Sequence, residues 1–237
     1  MPSSAAAHGV FTSGAGTALQ ALVFDLDGTL VHSAADLMEG VRRTFREQGI
    51  GELPQNYAPK VLHGTMEGIM RAACKDMGWV EPAQWNAALA RFVSLYAAMQ
   101  SPTAHLYDGV RNAIDALARQ GLKMGVCTNS SERSARLTLT KLGLFEHMAF
   151  ICGADTFGIS KPSPVPLHGV LHALGVAPEH CLYVGDTETD AQCAQAASVH
   201  FAWHTAGYGG LSAQHYPRVL AFEHWAQLQK FSEAALA

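Results

Sequence analysis

Ala21-Leu22-Val23-Phe24-Asp25-Leu26-Asp27-Gly28-Thr29 is the stretch whose reading decides the fold. Its first four residues form a short apolar run, consistent with a strand buried in a parallel sheet. Two carboxylates follow, two residues apart. Strand side chains repeat with period two, so both can point into one site. Gly28 lets the backbone turn away from the sheet. Asp and Gly also make ordinary turns, so the surrounding chain must choose between turn and site.

Downstream the texture changes. Leu37, Val41 and Phe45 are spaced for one helical face. Residues 64–77 and 82–99 read as further helices, with Pro54, Pro59 and Gly78-Trp79 as breaks. No strand pattern interrupts the stretch. It predicts an all-helical insert over 34–103, after the first strand, a length suited to a small lid.

After Tyr107-Asp108-Gly109 helices and strands alternate. Helices are expected over 110–119, 132–142, 165–174 and 190–197. Strands are expected over 122–127, 149–152 and 181–184, with a last one over 199–202. This alternation predicts right-handed crossovers and an α/β, Rossmann-like parallel sheet with helices on both faces. The core domain then comprises 17–33 and 104–237. Ligands of such sheets bind at the carboxyl ends of the strands.

Four polar clusters fall on that edge. They are Asp25-x-Asp27-Gly28-Thr29, Thr128-Asn129-Ser130, Lys161-Pro162 and Gly185-Asp186-Thr187-Glu188-Thr189-Asp190. Thr128 and Ser130-Ser131 suit helix N-caps, yet a helix start also cradles an anion. Thr187 with Asp190 has the pattern of a cap, which leaves Asp186 unexplained. Carboxylates gathered at one edge raise one another's pKa or require a cation. Oxygen ligands suit Mg²⁺, and the absence of His and Cys from the clusters argues against zinc. Lys161, beside the acids and before a helix-opening Pro162, is a candidate phosphate ligand and charge balancer.

In order and spacing, the four segments resemble the four motifs of the haloacid dehalogenase superfamily, from Ala21 to about Gly210. The resemblance implies a phosphatase of small monoesters. Asp25 would be the nucleophile, and Asp27 the general acid and then base. Thr128, Asn129 and Lys161 would bind phosphate. Asp25, the Asp27 carbonyl and Asp186 would hold Mg²⁺, with Asp190 supporting behind them. At about 4 Å, repulsion between an attacking carboxylate and a phosphate charge is roughly 4 kcal/mol at a dielectric near 20, which the cation offsets. Asp27 also favours phosphoryl transfer, because dehalogenases of the superfamily lack this second aspartate.

The helical insert, Leu30 to Leu37, Tyr107-Asp108-Gly109-Val110 and Gly207-Tyr208-Gly209-Gly210 are similar to the phosphoglycolate phosphatase-like branch. That similarity implies 2-phosphoglycolate as substrate. One departure is His32, where the branch commonly has Asp. In the cap, His63 and Arg71 are candidates for contacting a substrate carboxylate. The alternatives are a sugar phosphomutase of the β-phosphoglucomutase kind, a sugar phosphate phosphatase, and a non-catalytic binder of phosphorylated metabolites.

Composition narrows the partners. Charged residues make up 15% of the chain and the net charge is -4. No basic stripe suited to nucleic acid is present, nor an apolar run of the roughly 18 residues a membrane span needs. The five cysteines contain no C-x-x-C pair and read as reduced thiols of a cytoplasmic protein. Residues 1–16 read as a disordered leader without a secretory pattern. His168 and His172, four apart on an expected helix, have no accompanying third ligand and are not assigned to zinc.

Overall fold

The computed structural model describes residues 18–57, 66–80, 82–99 and 102–236. The expected leader, 1–16, and His63 lie outside the described residues. The chain divides into two compact units, one built from the chain up to His32 and from Leu106 onward, the other from Ser33–His105.

The strands are β1 (Ala21–Phe24), β2 (Val31–His32), β3 (His105–Leu106, at the division between the units), β4 (Lys123–Cys127), β5 (Phe150–Cys152), β6 (Cys181–Gly185), β7 (His200–His204) and β8 (Leu220–Phe222). Among the described residues, six of them form a sheet in the order β5-β4-β1-β6-β7-β8. Every pairing is parallel. β1 is central, with Phe24 opposite Val126 on one side and Val184 on the other. All four of its side chains are buried, which is why it reads as a continuous apolar run.

The helices of the first unit are Val110–Arg119, Glu132–Lys141, Val165–Leu174, Glu188–Ala196 and Trp225–Leu236. In chain order, after the three of the other unit, they are α4 to α8. Val23, Cys127 and Tyr183 face a core that includes Leu167 and Val170 of α6 and Ala191 and Ala194 of α7. Phe24 points the other way, to Trp225 of α8, at 6.0 Å between ring centroids. Helices therefore cover both faces.

Three details differ from the sequence expectation. The chain continues past 199–202 into the edge strand β8 and helix α8. Helix α7 starts at Glu188 rather than at 190, because Thr187 caps it. Pro162 does not open a helix; α6 starts at Val165, after Pro164.

The second unit holds α1 (Ala34–Glu47), α2 (Met66–Met77) and α3 (Trp85–Met99). Leu37, Val41 and Phe45 line its core with Ile69, Met70 and Phe92. Gly40 permits close packing of α1 on α3, since a Cβ there would lie 2.7 Å from Phe92. Buried Asp36 accepts hydrogen bonds from the backbone of Thr103 and Ala104 and from the Thr103 hydroxyl.

Candidate active site

The carboxyl ends of β1, β4 and β6 lie side by side, and the polar clusters follow them directly. Asp25 continues the β1 ladder by one bond, its N–H donating to the Val184 carbonyl at 2.8 Å. The next residues turn back sharply: Leu30 and Val31 donate to the Leu26 carbonyl, and Gly28 takes φ +89.

Lys161 is the hub. Its Nζ is 2.7 Å from Asp25 Oδ1, 2.7 Å from Asp190 Oδ1 and 2.9 Å from the Tyr183 hydroxyl. These three contacts use the three N–H donors of an ammonium. Lys161 is only 3% exposed, and Asp190 is 0% exposed. Asn129 holds the lysine's backbone from both sides, accepting from Lys161 N–H at 2.9 Å and donating to its carbonyl at 3.2 Å.

Asp190 is tied down at both oxygens. Oδ1 meets Lys161 and Tyr183; Oδ2 accepts from the Thr187 hydroxyl at 2.6 Å and the Thr187 N–H at 3.0 Å. Asp186 is held differently. Its Oδ1 accepts from the Thr29 hydroxyl at 2.9 Å, and its Oδ2 from the N–H groups of Tyr208 and Gly209. Asp27 accepts from the Ser130 hydroxyl at 2.7 Å. The Thr128 hydroxyl oxygen accepts from Ser130 N–H, and as a hydroxyl it keeps a proton to donate.

The structure thus brings together Asp25, Lys161, Asp186 and Asp190, with Asp27, Thr128 and Asn129 in the adjoining loops. Arg71 belongs to the other unit, where it is bonded to Glu67 and its guanidinium lies 4.6 Å from the Trp85 ring centroid. His168 contacts the Ala197 carbonyl; among the described residues, neither it nor His172 joins a cluster of metal-ligand side chains.

Of the hydroxyls expected as caps, Thr128 and Ser130-Ser131, it is Ser131 that caps α5, while Ser130 holds Asp27. The sequence reading missed Tyr183 altogether. The signal was available: a tyrosine inside the apolar run Cys181-Leu182-Tyr183-Val184 carries a buried hydroxyl that needs a partner.

Burial governs the electrostatics. It pushes the Asp25 carboxyl up to about 7, against the pull of Lys161. Burial also raises Asp186 well above the usual carboxylate range, and Asp190 and Asp25 add to the effect. Burial acts on Asp190 in the same sense, but Lys161, Thr187 and Tyr183 outweigh it and hold Asp190 low. Burial opposes the charge on Lys161, and Asp190 and Asp25 together keep it protonated.

Oxygens of Asp25, Asp186 and Asp190 lie within 4.8 Å of one another. Three buried carboxylates face one ammonium, so two negative charges stay unbalanced once all are ionised. The all-oxygen donor set and that charge deficit fit one divalent cation of the hard class.

The family model described as haloacid dehalogenase-like hydrolase matches residues 22–204. The chain belongs to this family. Among the relatives of this haloacid dehalogenase-like hydrolase is a phosphoglycolate phosphatase of Rhodospirillum rubrum, 35% identical, with 88% of this chain and 89% of the relative covered. A phosphoglycolate phosphatase of Cereibacter sphaeroides is 33% identical, covering 91% of this chain and 99% of its own. The hydrolase also resembles the crystal structure of a predicted phosphoglycolate phosphatase from Haemophilus somnus. That match has a TM-score of 0.79 and 25% identity, with 90% of this chain and 98% of the other covered. No described helix is long and apolar enough to cross a membrane.

Proposed function

We propose that this hydrolase is a Mg²⁺-dependent phosphatase of small phosphate monoesters, with 2-phosphoglycolate as its substrate. The observation that carries the reading is the pairing of a buried, lysine-held Asp25 with an Asp186 carboxylate that, among the described residues, is held by a hydroxyl and backbone N–H groups and by no side-chain cation. Similarity to the phosphoglycolate phosphatases supports the substrate.

Asp25 and Asp186 would hold the cation, together with the Asp27 carbonyl, while Asp190 anchors Lys161 behind them. Once bound, the cation offsets repulsion between the nucleophile and the phosphate and polarises the phosphoryl oxygens. Lys161 fixes Asp25 Oδ1 and leaves Oδ2 to attack phosphorus. As the Asp25–phosphorus bond forms, the bond from phosphorus to the leaving oxygen breaks, and Asp27 supplies that oxygen with a proton. The Asp27 carboxylate then takes a proton from water. The water oxygen attacks phosphorus, the aspartyl–phosphorus bond breaks, and inorganic phosphate leaves.

The Thr128 hydroxyl donates to a phosphate oxygen, and Asn129 keeps Lys161 in place. In the helical insert, Arg71 and His63 are the candidate contacts for a substrate carboxylate.

Purified protein is expected to release one phosphate per 2-phosphoglycolate with Mg²⁺ and none with excess EDTA. Asp25→Asn should fall to background. Asp27→Asn should lose about 10²–10⁴ in kcat, the usual worth of a general acid–base group. Full activity of Asp25→Asn would rule out the covalent route. Phosphate returned to the substrate rather than released would mean a mutase.

A further inference from the structure

We propose that His204 is a positioning residue that fixes the Gly28–Thr29 peptide and, through it, the carboxylate of Asp186. The inference rests on the reading of Asp186 as a cation ligand and extends it to a residue outside the four polar clusters.

β7 places His204 there. Gly185 is the register partner of Trp203, so His204 lies one step further along, level with Asp186. Strand alternation turns it to the Phe24 face, opposite to Trp203. It is 1% exposed, with ring centroids 4.8 Å from Tyr107, 5.2 Å from Phe222 and 5.9 Å from Trp225. Its Nδ1 is 3.0 Å from the Gly28 carbonyl oxygen. A carbonyl only accepts, so Nδ1 carries the hydrogen. Burial lowers the pKa of this imidazole, outweighing hydrogen bonds to the backbone of Gly28 and Glu223 that act the other way, so the ring is favoured in its neutral form.

The Gly28 peptide is where the nucleophile loop touches Asp186. A Cβ on Gly28 would lie 2.4 Å from Asp186 Oδ2. A Cβ on Gly207 would lie 2.5 Å from the same oxygen and 2.5 Å from the Gly28 carbonyl. Two residues without side chains thus bring a carbonyl dipole close to a buried carboxylate. The negative ends repel, and on its other side this peptide is held only by a 3.3 Å bond from the Thr29 N–H to the Leu26 carbonyl. Donation from His204 holds the carbonyl against that repulsion. The next residue, Thr29, then keeps its hydroxyl on Asp186 Oδ1. Removing the donor loosens the seat of Asp186 without touching any ligand atom.

The test compares His204→Phe, which fills the ring's place without a donor, with His204→Asn, whose side-chain amide can reach the Gly28 carbonyl. Two readouts are independent of turnover: Mg²⁺ affinity by titration calorimetry, and amide hydrogen exchange over residues 25–31 in metal-free protein. In His204→Phe, Mg²⁺ affinity should fall about tenfold or more, the range for residues behind a metal ligand. Exchange should accelerate by a similar factor, and kcat should fall with little change in KM. His204→Asn should restore most of each. A folded His204→Phe with wild-type affinity and exchange overturns the proposal. So does a His204→Asn as impaired as the phenylalanine variant, which would assign the effect to ring packing. If the phenylalanine variant does not fold, His204→Leu carries the same measurements. Should wild-type protein bind no Mg²⁺, the cation reading falls, and exchange over 25–31 alone decides the role of His204.

Discussion

Asp25 has two tasks in the proposed reaction, and both require it ionised. In the metal-free protein its carboxyl is pushed up to about 7, burial being the largest cause. Below that pH a proton must leave before a cation can bind, so Mg²⁺ binding competes with protonation. Between pH 6 and pH 8 the ionised fraction of such a group rises about tenfold. Asp186, raised in the same sense, must ionise too, so Mg²⁺ affinity should be at least about tenfold tighter at pH 8 than at pH 6, and binding at pH 6 should release protons. Titration calorimetry in two buffers of different ionisation enthalpy measures both effects. Equal affinity at the two pH values, with no proton release, would show that burial does not set the Asp25 equilibrium. The same shift has a consequence for stability. The unfolded carboxyl titrates near 4, so between roughly pH 4 and pH 7 the folded state binds the extra proton. Asp25 then lowers the stability of the metal-free protein as pH rises through that window.

Helix α7 shows how an element serves the site through its own start. Thr187 caps it in a full capping box, its hydroxyl paired with Asp190 and Asp190 reaching back to the Thr187 N–H. A cap is worth about 1–2 kcal/mol, and in a chain of this size about 1 kcal/mol moves Tm by roughly 2–4 °C. Thr187→Ala should lower Tm by about 2–8 °C in a thermal melt and also reduce kcat, because Asp190 loses a bond and Lys161 loses a fixed partner. Thr187→Ser should restore both; an alanine variant with unchanged Tm would show that the cap contributes nothing. This cap was readable in advance, since Thr and Asp three apart before a helix form a local pattern. β1, β4 and β6 were equally readable, as apolar runs that end abruptly in polar clusters. What escaped was non-local or lacked side-chain chemistry. Asn129 meets the Lys161 backbone 32 positions away, and no spacing rule encodes that contact. The donors of Tyr208 and Gly209 to Asp186 are backbone N–H groups, invisible to any reading by residue type. β8 is three residues long and partly exposed, too short for periodicity to show.

Across the molecule, the parallel sheet brings the ends of three neighbouring strands, and the charges that follow them, into one buried place. Folding strips water from Asp25, Asp186 and Asp190, all less than a tenth exposed, and supplies one compensating ammonium. The metal-free fold thus carries a charge cluster that opposes its own stability, because burying an unpaired charge is costly. A divalent cation binds this cluster only when the chain is folded, so it stabilises by mass action, about 2.7 kcal/mol at a hundredfold excess over Kd. For a chain of this size, that corresponds to a rise in Tm of roughly 5–11 °C. Scanning calorimetry at pH 8 with excess Mg²⁺ and then with EDTA measures the difference directly. Asp25→Asn separates charge from shape. Its amide oxygen still accepts from Lys161, but one buried negative charge is gone. At pH 8, above the raised pKa of Asp25, this variant in EDTA should melt higher than wild type in EDTA, and Mg²⁺ should raise its Tm less. A wild-type Tm indifferent to Mg²⁺ would remove the cation from the account. An Asp25→Asn variant that melts below wild type in EDTA would mean that Lys161 already compensates the site, with no charge deficit left for a metal to fill.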